Sequence, residues 1–78
     1  MSVWNIRILA SVYSDGQVEF WPAEVYYDEP NGTAHSYTEH SPHGSTLDDI
    51  RFYAEQVLRA TGKPILMAGD AFPKEYIP

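Results

Sequence analysis

The chain has 78 residues, one domain's length, and lacks cysteine, which excludes disulfides, thiolate metal sites and a thiol nucleophile. Eleven acids against five bases give a net charge of −6. Arg7, Arg51, Arg59, Lys63 and Lys74 are scattered, so no phosphate-binding surface and no direct nucleic-acid binding are expected.

Without disulfide staples, a chain this short is expected in a reducing, cytoplasmic setting. Its apolar beginning is interrupted by Arg7 and followed by no small-residue cleavage site. A secretion signal is therefore not expected, nor is a membrane span. The acidity serves solubility or meets a basic partner.

Trp4, Ile6, Ile8, Ala10 and Val12 alternate along a first strand and share one face. Ser14-Asp15-Gly16-Gln17 supplies an Asp-Gly pair suited to a two-residue type I′ hairpin. Counting back from that turn sets Trp4 opposite Tyr27, Ile6 opposite Val25, Ile8 opposite Ala23 and Ala10 opposite Trp21. On the other face Arg7 meets Glu24, Asn5 meets Tyr26 and Leu9 meets Pro22.

The stretch Gly16 to Asp28 carries apolar side chains at both parities, as a central strand does. In this register Trp21, Ala23, Val25 and Tyr27 build the core, while Phe20, Pro22, Glu24, Tyr26 and Asp28 face away from it. Glu29-Pro30-Asn31-Gly32 reads as a type I turn. A third strand then pairs Tyr27 with His35, Val25 with Tyr37 and Ala23 with Glu39, and stops near His40, where Pro22 lacks a donor.

Thr46 reads as a helix N-cap with Asp49 completing a capping box, and Asp48 and Asp49 suit the positive helix start. Leu47, Ile50, Ala54, Val57, Leu58 and Thr61 fall on one side at helical spacing. That stripe is expected to cover Trp4, Ile6, Ile8, Trp21 and Val25. Gly62 and Lys63-Pro64 end the helix. Ile65-Leu66-Met67 reads as a short fourth strand, and residues 68–78 as an irregular tail pinned by Phe72, Tyr76 and Ile77.

The expected fold is thus α+β in the order β-β-β-α-β. It is a three-stranded antiparallel meander, one helix on one sheet face, a short fourth strand and a tail, all in a single domain over residues 1–78.

Motifs of chemistry are sparse. His35, His40 and His43 match no zinc-ligand spacing, and His35 and His40 point to opposite strand faces. Ser41, His43 and Glu39 form a triad only on paper, since no nucleophile-elbow pattern or oxyanion hole accompanies them. No cofactor, metal or catalytic residue is expected, and the chain is read as a non-enzyme.

The outward set Phe20, Pro22, Glu24, Tyr26 and Asp28 forms an aromatic, mildly acidic sheet face. Either the tail covers it through Phe72 and Ile77, or a partner does. Phe52 lies opposite the helical stripe among Asp48, Glu55, Gln56 and Arg59, where an aromatic ringed by charge suits a partner anchor.

Trp4-Asn5-Ile6-Arg7-Ile8, Glu24-Val25-Tyr26-Tyr27-Asp28, Tyr37-Thr38-Glu39, Gly44-Ser45-Thr46-Leu47-Asp48-Asp49-Ile50 and Lys63-Pro64-Ile65-Leu66 follow one another along the chain. In these segments it resembles a set of small bacterial proteins of no known activity, so the resemblance implies structural roles only. In its order of elements, and in Gly44, Thr46 and Leu47 at the helix start, it also resembles HicB-like antitoxin domains. It departs from them in lacking their Pro-Asp-Leu-Pro-Gly stretch and any DNA-binding extension.

The functional expectation is a non-catalytic protein-binding domain. Phe20, Pro22, Glu24, Tyr26, Asp28, Asp48, Phe52 and Glu55 would meet another, basic protein or a second copy of the chain. A narrower form is a phage or mobile-element inhibitor of a nucleic-acid enzyme, acting as a DNA mimic or in the manner of an anti-CRISPR. Another is an antitoxin-like domain masking a basic toxin.

Overall fold

A computed structural model of the protein describes residues 3–28, 32–39 and 44–78. Strand β1 spans Val3–Val12, β2 Val18–Asp28 and β3 Thr33–Glu39; helix α1 spans Leu47–Ala60, β4 Leu66–Met67, and a 3₁₀ turn follows at Gly69–Ala71. The β-β-β-α-β order is as expected. The strands form one sheet ordered β3-β2-β1-β4. Within it β1–β2 and β2–β3 are antiparallel, while the short β4 runs parallel to β1.

The first hairpin differs from expectation by one residue, and that residue reorganises the core. Val12 pairs with Val18, Ile8 with Pro22, Ile6 with Glu24 and Trp4 with Tyr26. The loop is Ser14-Asp15-Gly16, closed by Tyr13 N–H donating to Gln17 O and Gly16 N–H to Tyr13 O, both at 2.9 Å. Only Gly16 takes a positive φ, 89°. A type I′ turn would force Asp15 into the left-handed region too. The longer loop needs one such residue and lets Asp15 Oδ1 accept the Gln17 N–H at 3.0 Å.

A slip of one residue turns every side chain of β2 to the other face of the sheet relative to β1. Ile6 and Ile8 therefore share a face with Phe20, Pro22, Glu24 and Tyr26, whereas Leu9 shares one with Trp21, Ala23, Val25 and Tyr27. The expected partners Trp4–Tyr27, Ile6–Val25, Ile8–Ala23, Ala10–Trp21, Arg7–Glu24, Asn5–Tyr26 and Leu9–Pro22 are all replaced. Arg7 instead donates to Tyr27 Oη at 3.0 Å and Pro64 O at 2.6 Å, and Tyr27 Oη–H donates to Asn5 Oδ1 at 2.7 Å.

The second hairpin keeps Val25 opposite Tyr37 and Ala23 opposite Glu39, as expected. A bulge makes His35 the extra residue, so Tyr27 faces Ala34 and not His35. Gly32 N–H donates to Asp28 O at 2.7 Å with Gly32 at φ 71°. The rest of the Glu29-Pro30-Asn31-Gly32 turn, with His40, Ser41, Pro42 and His43, lies outside the described residues.

Both sheet faces are covered. On one, Ile6 and Ile8 pack with Ala60, Val57 and Ile65 beneath the helix. On the other, Leu9, Ala23, Val25 and Leu66 form a buried cluster roofed by Trp21, Tyr27, Tyr37, Ala68 and Phe72. Tyr37 stacks obliquely on Phe72 at 4.7 Å and its hydroxyl accepts the Gly69 N–H at 2.7 Å. Met67 N–H to Lys74 O and Tyr76 N–H to Ile65 O, each 2.7 Å, fold the tail back along β4. Phe72 thus acts as expected of a tail anchor, but on the Trp21 face; Ile77 stays exposed.

Candidate partner-binding surface

The helix begins as its residues dictate. Thr46 Oγ1 accepts the Asp49 N–H at 3.1 Å, and the Asp49 carboxylate accepts the Thr46 N–H at 3.3 Å and the Ser45 N–H at 3.1 Å. Its orientation departs from the expected stripe. Ala60 is its one buried residue, with Tyr53, Gln56 and Val57 partly covered. Leu47, Ile50, Ala54 and Leu58 are exposed. The helix therefore rests on the sheet through a mixed face turned away from its apolar stripe, and Trp21 and Val25 pack in the cluster of the opposite face.

Consequently Phe20, Pro22, Glu24 and Tyr26 occupy the helix-bearing face, not an uncovered one. The helix packs mainly over β1, which leaves this β2 row half-open beside it. Phe20 is exposed and meets Tyr76 edge-on at 5.7 Å. Pro22 and Phe20 line a cleft of about 270 Å³ whose other walls include Ile8, Thr61 and Ile65. Tyr26 Oη–H donates to Glu24 Oε1 at 2.9 Å, which aims the carboxylate. Asp28 is exposed at the strand end, with one oxygen 3.7 Å from His35 Nε2.

A second cleft, of about 200 Å³, lies between Trp4, Asn5 and Ile6 of β1 and Phe52, Tyr53 and Gln56 of the helix. Trp4 is 51% exposed and Phe52 55%. Phe52 packs edge-on against Tyr53 at 5.5 Å. Asp48 and Glu55 are exposed on the same helix, and Asp48 accepts from Arg51 Nη1 at 3.1 Å.

The expected set is thus split. Phe20 and Pro22 border the cleft at Thr61, while Phe52 borders the other cleft with Trp4. Trp4 was expected in the core and belongs instead to this surface. Phe52, Tyr53 and Gln56 stand across a cleft from Trp4 and leave it half exposed, and the alternation of β1 carries no signal of that. Among the described residues no set of three or more His, Asp and Glu side chains converges to hold a metal ion. No helix of the described residues is long and apolar enough to cross a membrane.

The chain matches no protein-family model, no curated protein and no solved structure.

Proposed function

We propose that the protein is a non-catalytic, cytoplasmic protein-binding domain. It engages a basic partner through aromatic side chains set in acidic surroundings. The observation that carries this reading is the Trp4–Phe52 cleft. Two large aromatics, each more than half exposed, flank one depression. Tryptophan and other large aromatics dominate the binding energy of interfaces, and contiguous exposed apolar patches mark contact sites. Asp48 and Glu55 on the same helix supply charge for a basic rim. On the neighbouring strand β2, where Tyr26 pairs directly with Trp4, Phe20, Pro22, Glu24, Tyr26 and Asp28 extend the surface.

The test is affinity capture from the source cell with the wild-type chain and with Phe52→Ala and Trp4→Ala. A basic protein retained by the wild type is expected to bind each variant about 30-fold or more weakly, since a central aromatic is worth about 2 kcal/mol or more. Its association with Asp48→Asn/Glu55→Gln should slow, most visibly at low salt. A partner held equally by wild type and both aromatic variants would sink the reading.

A further inference from the structure

The helix carries an apolar surface that the sheet does not use. Leu47 is 72% exposed, Ile50 39% and Leu58 71%, with Ala54 exposed between them. Leu47, Ile50, Ala54, Leu58 and Thr61 recur at spacings of three and four residues along one side of it, which suits a partner helix.

We infer that a second copy of this chain supplies that helix, in an antiparallel pair about a two-fold axis at Ala54. This goes beyond the proposed partner-binding reading: its apolar contacts lie on another side of the helix, with Asp48 and Glu55 bordering both surfaces, and it rests on self-complementarity. An axis at Ala54 sets Ile50 against Leu58 of the second copy and Leu47 against its Thr61. Ala54 meets Ala54 at the centre, where the small side chain lets the helices approach closely.

The charges agree. Arg51 and Glu55 flank the stripe on its solvent side, and the two-fold brings Arg51 beside Glu55 of the second copy, twice over. Asp48 falls near Arg59 of the second copy. In a parallel pairing equivalent flanks lie on opposite sides of the seam, so Arg51 would face the Tyr53–Val57 flank of the second copy and not Glu55; the antiparallel arrangement is the one that brings the opposite charges together. Arg51 is free to do this. Its bond to Asp48 uses Nη1 at 3.1 Å, and its side chain is 72% exposed.

Sedimentation equilibrium of the full chain over a wide concentration range tests the pair, with circular dichroism confirming that each variant is folded. A monomer–dimer equilibrium is expected. Leu58→Glu should abolish it, and Arg51→Glu or Glu55→Arg alone should each weaken it about tenfold. The double variant R51E/E55R should restore it. A wild type monomeric at every concentration would overturn the inference. So would a dimer that survives Leu58→Glu, or a double variant no better than the singles. Leu58→Glu still capturing the basic partner while monomeric would leave the other reading standing, so the two fail separately.

Discussion

Leu9 stands where three strands meet, across from Trp21 on β2 and beside Leu66 on β4, and it is wholly buried. Replacing it with alanine removes apolar contacts on the tail side and leaves a cavity that the paired strands cannot collapse into. The cost of such a change is about 2–5 kcal/mol, against a total of about 4–12 kcal/mol for a domain of this length. Leu9→Ala is therefore expected to lower the melting temperature by about 10 °C or more. A thermal melt that moves by only a degree or two would show that this side of the sheet is not a core. The sequence count had turned Leu9 outward opposite Pro22. An Asp-Gly pair is compatible with a two-residue or a three-residue loop, and alternation in β1 cannot choose between them because Leu9 breaks it. The choice follows from the tail: with Phe72 and Leu66 available as cover, apolar groups of both parities in β2 can be buried, and the loop with one left-handed residue becomes the better solution.

At the level of elements, the helix was legible in its beginning and end but not in its orientation. Thr46 and Asp49 form the reciprocal cap that their spacing announces, because that bonding is local. Thr46→Ala should cost about 1 kcal/mol. It should also speed amide exchange in the first turn, Leu47 to Ile50, relative to the sheet; unchanged protection there would contradict the cap's contribution. The apolar stripe, by contrast, states that one side of the helix prefers to leave water, without saying which neighbour it joins. Val57 and Ala60 pack on Ile6 and Ile8, where the small Ala60 permits close approach to the strand, while Tyr53 and Gln56 line the cleft beside Ile6. Leu47, Ile50 and Leu58 are left exposed. Hence the surface residues Phe52, Asp48 and Glu55 were readable from helical projection, whereas Trp4 was not, since its exposure depends on where the helix comes to lie.

For the molecule as a whole, the sheet is a layer between the helix and the folded-back tail. Removing residues 69–78 takes away Phe72 and the Gly69 bond to Tyr37, and exposes Trp21 and Tyr37. The shortened chain should show red-shifted tryptophan emission and a broad, weakly cooperative melt. Phe72→Ala in the full chain should move both properties in the same direction by a smaller amount. Emission and cooperativity equal to those of the intact chain would mean that the tail is ornamental.

That roof has a temporal meaning. Synthesis runs from β1 onward, so the meander emerges with Leu9, Ala23 and Val25 still facing water, and the helix that follows shelters only the Ile6–Ile8 side. Leu66 and Phe72 leave the ribosome after every residue they must cover. The two faces of one sheet are therefore completed in sequence. Between those moments the nascent chain presents a half-dressed aromatic surface, Trp21 and Tyr37 foremost, to whatever chaperone or neighbouring chain meets it first.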